Sequence, residues 1–228
     1  STVQGLGIQN FPGNGILVNS SNNLIGGDRV GVDANGNPNN PTGRITSTLP
    51  PTSTTPVVVR PPQGNVIGGN DGDGVRIANG ANNNLLEGNF IGTDITGVNG
   101  NANDGNGVYI LRSNGNKMYG TTPPDQNNPF VFYNVVSGNA KNGLLVQDSN
   151  NSVIFANFFG LGADNKTAVG NTLDGILVTG TSDSTRVGAN IPLGNVSSGN
   201  GKHGLEIAGK ASRTKSVNTF AGTAAPTM

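Results

Sequence analysis

The stretch of residues 73–94, DGVRIANGANNNLLEGNFIGTD, decides the fold of this chain. It contains three short apolar pieces, which begin at Gly74, Asn84 and Phe90. Each piece has the length of one short strand, and Asn and Gly stand at the junctions, where they tolerate tight or left-handed backbone angles. Related three-part units recur along the chain. The stretch therefore predicts one layer of a repetitive stack, in which each layer consists of three consecutive strands.

Six recognisable copies of this unit predict six layers. Their opening residues are Asn14, Asp73, Asn106, Asn142, Asp174 and His203. The last five openings follow one another at intervals of about 30 residues, which is too short for three strands and a helical crossover. No apolar period of 3.6 residues is visible either. The sequence thus predicts an all-β chain.

The first strand of each layer has an alternating pattern. Residues two and four places after the opening residue should point inward, because side chains alternate along a strand. All of them are aliphatic: Ile16, Val18, Val75, Ile77, Val108, Ile110, Leu144, Val146, Ile176, Val178, Leu205 and Ile207. The residues between them should point outward: Leu17, Arg76, Tyr109, Leu145, Leu177 and Glu206. We expect a stacked apolar core beneath a partly apolar outer column.

Asparagines that close strands form a second repeated feature, and they are Asn70, Asn89, Asn139, Asn157 and Asn200. Stacked in register, such side chains can share amide hydrogen bonds from one layer to the next. Asparagine also suits a turn without any ladder. The sequence leaves both interpretations open.

Two segments interrupt the repeat, at about residues 28–63 and 121–132. The proline content of the first predicts no regular central strand, although residues 57–60 could pair at an edge. The first layer would then find its third strand only at Asn65. We expect one domain over residues 1–228, with about five full layers and partial ends. Because the chain begins in mid-pattern, we expect it to be a piece of a longer chain.

Composition excludes several classes of protein. The 13 basic and 13 acidic residues cancel and form no basic stripe, so nucleic acid is not an expected partner. No apolar run has the length of a membrane span. The chain has no cysteine, so disulfide bonds do not stabilise it.

The recurring units N-V-x-S-G-N, D-G-V-x-I and G-N-x-I-G-T-D resemble those of the right-handed parallel β-helix family, the pectate-lyase-like superfamily, and especially its tandem-repeat surface and secreted members. The resemblance covers nearly the whole chain outside the two interruptions. It implies a single-stranded right-handed parallel β-helix, and the handedness comes from the resemblance alone. Known relatives include polysaccharide lyases, glycosidases, epimerases, phage tailspikes and non-enzymatic surface proteins, so the resemblance implies no single function.

An acidic edge is the best candidate for chemistry. When residues 70–77, NDGDGVRI, are aligned with residues 103–110, NDGNGVYI, Asp71 and Asp104 become equivalent on adjacent layers. They should lie about 5 Å apart, with Asp73 beside them. Asp71 and Asp104 are therefore candidate calcium ligands, and these three acids with Arg76 are candidate catalytic residues. By contrast, Asp174 should share a column with Asp73 at about 14 Å, too far for a hydrolytic pair.

Three residues near this edge are candidate ligand-binding residues for a sugar: Arg76, Tyr109 and Lys141. The alternative is that Asp-Gly is turn chemistry and that Arg76 balances the charge of two acids. His203, in GKHGLEI, is superficially similar to the G-H-G of pectin-hydrolysing relatives, but Lys202 replaces the first glycine. Because His203 takes the place of Asn or Asp in the other layers, we expect a turn role for it.

These observations favour a non-enzymatic structural or adhesive module of an extracellular, cell-surface or viral-fibre protein. The ends of such a stack need a cap, a continuing chain or a partner, so further domains or other copies in a homo-oligomer are expected partners. An adhesive module would also have a polysaccharide as a partner. The alternative is a polysaccharide lyase or glycoside hydrolase acting on an acidic polysaccharide. Only 5% of the residues are aromatic and none is tryptophan, which disfavours a sugar-cleaving cleft. Ice binding would need a column of threonines, which the outward column lacks.

Overall fold

The structure is a computed structural model that describes residues 2–8, 16–18, 24–26, 28–31, 45–47, 58–59, 64–120, 133–189 and 194–222. Within these ranges it is all-β, without an α-helix, and its strands form three parallel sheets. The same ranges include no helix of the length and apolarity needed to cross a membrane. The predicted all-β class is confirmed.

Each sheet collects every third strand of the chain. The strands of sheet A are Thr2–Gln4, Leu24–Gly26, Val58–Val59, Leu85–Leu86, Lys117–Tyr119, Val153–Phe155, Arg186–Val187 and Lys215–Ser216. The strands of sheet B are Gly7–Ile8, Arg29–Val30, Val66–Ile67, Phe90–Ile91, Asn134–Val136, Asn157–Phe159, Val196–Ser198 and Phe220–Gly222. The strands of sheet C are Ile16–Val18, Ile45–Ser47, Val75–Ala78, Val108–Leu111, Leu144–Gln147, Ile176–Thr179 and Leu205–Ile207.

The chain visits sheets C, A and B in turn, so one strand from each makes a layer. Each strand pairs in parallel with the equivalent strand of the next layer; for example, Val108–Leu111 pairs with Val75–Ala78 on one side and Leu144–Gln147 on the other. The described residues give seven such layers, preceded by one strand each of sheets A and B. This arrangement of stacked parallel strands is compatible with a β-helix.

The prediction of an interruption over residues 28–63 was wrong for three short pieces. Arg29–Val30, Ile45–Ser47 and Val58–Val59 belong to sheets B, C and A and pair on both sides. Two or three consecutive non-proline residues suffice for so short a strand, because only their own N–H groups are needed in the ladder. The stack therefore has an additional layer, and the estimate of about five full layers was too low. Residues 121–132 lie outside the described residues.

The alternation predicted for sheet C is confirmed in the middle of the stack. Val108, Leu144 and Ile176 have no exposed surface, and their inward partners two places on are equally buried. Leu205 is only half-buried and Ile207 is 46% exposed, because no further strand of sheet C covers them among the described residues. The side chains of Ile16, Leu17 and Val18 lie outside the described part.

The asparagine ladder is real, but it is two ladders. The first stands at the start of the sheet B strands or just before them and consists of Asn65, Asn89, Asn134, Asn157 and Asn195, whose side chains bond Nδ2 to Oδ1 over 2.8–3.0 Å. The second follows sheet B and consists of Asn70, Asn103, Asn139, Asn171 and Asn200, bonded over 2.6–2.9 Å. The predicted set mixed members of both. Pairing from layer to layer satisfies amides that, apart from that of the half-buried Asn200, are almost entirely buried.

Candidate functional site

The outward column of sheet C passes through the predicted residues in register. Pairing aligns Leu17, Thr46, Arg76, Tyr109, Leu145, Leu177 and Glu206. Thr46 stands between Leu17 and Arg76 because of the additional layer. From Arg76 to Glu206 every side chain is half-buried, as expected of a ridge on an outer sheet face.

The structure places Arg76 against both Asp73 and Tyr109. Arg76 Nη1 lies 3.6 Å from Asp73 Oδ2, and the guanidinium carbon lies 5.0 Å from the centre of the Tyr109 ring. This is cation–π distance. The Tyr109 hydroxyl donates to Gln147 Oε1 at 2.7 Å. Burial raises the pKa of Tyr109 although Arg76 opposes the shift, so the phenol stays a protonated donor at neutral pH.

Asp73 is the first residue of its layer, and its carboxylate accepts hydrogen bonds from the next layer. It is 7% exposed, and its Oδ1 accepts hydrogen bonds from the backbone N–H and from Nδ2 of Asn106, both at 2.9 Å. With Arg76 on Oδ2, the carboxylate has partners on both oxygens. Its candidate catalytic role is a prediction that these contacts leave untested.

Asp71 and Asp104 lie on adjacent layers, as the alignment predicts. The backbone N–H of Asp104 donates to the Asn70 carbonyl, and that of Gly105 to the Gly72 carbonyl, both at 2.8 Å. Both aspartates are exposed. Lys141 is exposed one layer further on. Its N–H donates to the Gly105 carbonyl at 3.1 Å, so in the stack Lys141 is aligned with Gly105 and not with Asp104. Calcium binding, sugar binding and catalysis at this edge stay predictions.

The opening column holds a second group of chemically active side chains. Asp73, Asn106, Asn142, Asp174 and His203 stack in it, and each later residue is joined to the one before by a backbone N–H to side-chain Oδ1 bond of 2.9–3.3 Å. Asp73 and Asp174 therefore lie three layers apart, as predicted. His203 does occupy the place of Asn or Asp in this column.

The neighbourhood of His203 was missed by the sequence analysis. His203 Nδ1 lies 2.8 Å from Asp174 Oδ1 and 3.3 Å from Glu206 Oε2. One ligand atom from each of the three residues lies within 4.8 Å of the other two. The signal that could have found this group is the histidine stacked on an aspartate of the layer below, with a glutamate three residues later in the outward column.

Two further carboxylates stabilise loops between sheets B and C. Burial raises the pKa of Asp94, but hydrogen bonds from Asn99 and Thr96 outweigh it and the pKa is lowered. Hydrogen bonds from Thr167 and the Lys166 N–H lower the pKa of Asp164. Both acids are charged in their turns at neutral pH.

Asp183 joins two successive layers through an ion pair. Arg213 donates to it through Nε at 2.8 Å and through Nη2, and Ser212 donates at 2.7 Å. These side-chain hydrogen bonds, with that of Arg213 foremost, hold the pKa of Asp183 well below its usual range. The pair therefore stabilises the last described layers only when Asp183 is charged.

Comparison of the chain with models of known families, with curated proteins and with solved structures gives no match.

Proposed function

We propose that the chain is a single-stranded right-handed parallel β-helix that serves as a non-enzymatic structural or adhesive module of an extracellular, cell-surface or viral-fibre protein. The observation that supports this function is the hydrogen bonding of its polar side chains. Those that are buried bond mainly from one layer to the next. The right-handedness rests on the resemblance of its repeat units to those of known β-helices.

The buried carboxylates illustrate this use. A general base needs a free lone pair within reach of the substrate. Asp73 has its Oδ1 engaged by Asn106 and its Oδ2 beside Arg76. Asp174 is 2% exposed and accepts from the backbone of His203. Both acids thus contribute to stacking, which is the role expected of a scaffold.

The aromatic side chains support the same proposal. Tyr119 and Phe155 stack on each other with ring centres 4.8 Å apart, and Tyr133 and Phe158 do so at 4.6 Å. Each pair joins neighbouring layers, so one face of each ring is already covered. Sugar-cleaving sites present aromatic faces to their substrate. Rings paired in this way stabilise the stack instead.

A second candidate function, cleavage of an acidic polysaccharide, is favoured by one specific observation. Asp71 and Asp104 are exposed on adjacent layers, where their expected spacing of about 5 Å suits two cooperating carboxylates. Arg76, Tyr109 and Lys141 would then bind the anionic chain. The same edge suits carbohydrate binding without cleavage, which would make it an adhesive surface.

One experiment separates these functions. The purified chain is incubated with a panel of acidic polysaccharides, with and without Ca²⁺, while reducing ends and the ultraviolet absorbance of unsaturated products are followed. Affinity electrophoresis on the same polysaccharides and sedimentation velocity over a range of concentrations measure adhesion and self-association. The matched control is the double variant Asp71→Asn/Asp104→Asn, which keeps side-chain size at both exposed positions.

The structural proposal predicts no product above the level of this control, together with retention by a polysaccharide or concentration-dependent association. Turnover that disappears in the double variant would establish the enzyme instead. A chain that neither cleaves, nor is retained, nor associates at any concentration contradicts the adhesive and self-assembling roles.

A further inference from the structure

We propose that Asp174, His203 and Glu206 form a binding site for a divalent transition-metal ion, with Zn²⁺ as the expected occupant. The site lies at the junction of the last two described layers of sheet C. It goes beyond the structural role, because a scaffold alone does not require these three residue types to meet.

Two of the three separations between ligand atoms are close to those around a shared ion, and the third, between Asp174 and Glu206, is at most 4.8 Å and would close by movement of the more exposed Glu206 side chain. Zinc bonds to histidine nitrogen and carboxylate oxygen are about 2.0–2.2 Å long, so ligand atoms around a tetrahedral ion lie about 3.3 Å apart. His203 Nδ1 lies 3.3 Å from Glu206 Oε2 and 2.8 Å from Asp174 Oδ1. The second distance is that of a hydrogen bond, so metal binding would replace the Nδ1 proton and open this contact by about half an ångström.

The surrounding fold fixes one ligand and leaves two adjustable. Asp174 is held by its N–H bond to Asn142 Oδ1 at 3.1 Å and by the Gly143 N–H on its carbonyl at 2.9 Å, and its side chain is 3% exposed. The side chains of His203 and Glu206 are 59% and 36% exposed. An ion can therefore reach the site from solvent, and water can complete its coordination, as at zinc sites with three protein ligands.

An equivalent place on another layer shows why this group is unusual. Asp73 has Arg76 three residues on, and the two form an ion pair. Glu206 stands at the matching place three residues after His203, and the residue of its column on the Asp174 layer is Leu177. Two carboxylates thus meet one imidazole, which leaves a net negative charge even when the imidazole is protonated. A divalent cation would neutralise it.

The ligand types select the class of metal. Calcium and magnesium are bound by oxygen ligands, whereas imidazole nitrogen with carboxylate oxygen suits zinc and its first-row neighbours. Among the described residues, this is the one group in which three His or carboxylate side chains offer ligand atoms at such short mutual distances. The competing interpretation is a protonated His203 held between two carboxylates without any metal.

The test is titration of the 228-residue chain with Zn²⁺ by calorimetry and with Co²⁺ by visible absorption. Two variants remove one ligand each, His203→Asn and Glu206→Gln. Asparagine is a matched replacement for His203, because Asn106 and Asn142 occupy the same column and continue its hydrogen bonds. The control variant is Asp164→Asn, which removes the charge of an exposed acid in a turn outside the proposed site. Circular dichroism checks that each variant keeps the wild-type spectrum.

We expect one Zn²⁺ per chain and a visible absorption spectrum characteristic of a Co²⁺ ion with a low coordination number. We also expect the metal to raise the melting temperature of the chain. Affinity should fall at least about tenfold in His203→Asn and in Glu206→Gln, and should not change in Asp164→Asn. The proposal is overturned by the absence of saturable binding, by equal binding in His203→Asn, or by Ca²⁺ that competes equally well with Zn²⁺. Any of these results leaves the structural function as it stands, because the stack does not depend on the ion.

Discussion

The middle layers of the stack and the last described layer are built from the same three-strand unit but are buried to very different degrees. In the middle, Val108, Leu144 and Ile176 have no exposed surface. In the last layer, Ile207 is 46% exposed and Phe220 56%. The strands pair in the same register in both places. Burial in this molecule therefore comes from a neighbour on each side, and a layer cannot bury its own core.

The polar contacts change along the stack in the same way. In the middle layers, neutral amides such as Asn103 and Asn139 are completely buried and bond to each other. Near the end, Asn200 is only half-buried, and the contacts between layers include the ion pair of Asp183 with Arg213 and the group around His203. A middle layer also holds a charged pair, Asp73 with Arg76, but near the end the basic partners are more exposed, at 59% for His203 and 77% for Arg213.

The largest effect expected from this difference follows from placing a charge in the two inward columns. Val108→Asp buries an unpaired carboxylate and should lower the free energy of unfolding by about 4 kcal/mol or more. Ile207→Asp, at a 46% exposed position of the other inward column, should lower it by about 1 kcal/mol. Urea denaturation followed by circular dichroism measures both. Equal effects at the two positions would show that Val108 does not point into a core.

A smaller effect is expected from interrupting the second asparagine ladder at its middle and at its end. Asn139→Ala removes the buried side chain that accepts from Asn103 Nδ2 and donates to Asn171 Oδ1, and it should cost about 2–3 kcal/mol. Asn200→Ala removes the half-buried last member and should cost about 1 kcal/mol. The same denaturation experiment compares the two variants. If Asn139→Ala were neutral, the ladder would be a by-product of turn geometry and would not stabilise the stack.

The smallest effect concerns pH and the ion pair of the last layers. The pKa of Asp183 is lowered in the folded chain, so the pair stabilises above the ordinary carboxyl pKa, and this stabilisation is lost as the pH falls below about 4. Arg213→Ala should lower the melting temperature slightly at neutral pH, and its difference from wild type should shrink in acid. Arg186→Ala, at an exposed arginine in the neighbouring layer, is the matched control.

High salt provides a second check on this pair. Because Arg213 is largely exposed, added salt should also reduce the difference between Arg213→Ala and wild type. A difference that is unchanged by both acid and salt would mean that Arg213 acts through packing and not through its charge.

Much of the fold was predictable, because side chains alternate between the two faces of the first strand in each layer, and this alternation specifies which of them point into the core. Val108 and Tyr109 were assigned to opposite faces from their positions alone, and the structure confirms this. The exposure of Ile207 was not predictable, because it depends on whether another layer follows. For residues 57–60 only pairing at an edge was expected, because the surrounding prolines dominate the local composition, but Val58–Val59 pairs on both sides.

Among the candidate sites, too, some contacts were predictable from the sequence and one was not. The contact between Asp73 and Arg76 follows from their spacing of three residues within one layer, and the adjacency of Asp71 and Asp104 follows from aligning two repeats. The group around His203 depends on contacts both within its layer and across layers. Its members were each placed in the correct column, but the columns were considered separately, so the meeting of Glu206 with Asp174 was overlooked.

Amide hydrogen exchange tests the central claim most directly, namely that each layer is stabilised by its neighbours. In the middle of the stack, the N–H groups of Val108, Leu144 and Ile176 donate to carbonyls of the next layer. In the last described layer, the N–H groups of Lys215 and Phe220 donate to carbonyls of the preceding layer. We expect strong protection of the N–H groups bonded between layers in residues 75–120 and 133–179, and progressively weaker protection over residues 205–222. Uniform protection up to residue 222, or rapid exchange throughout the middle layers, would contradict it.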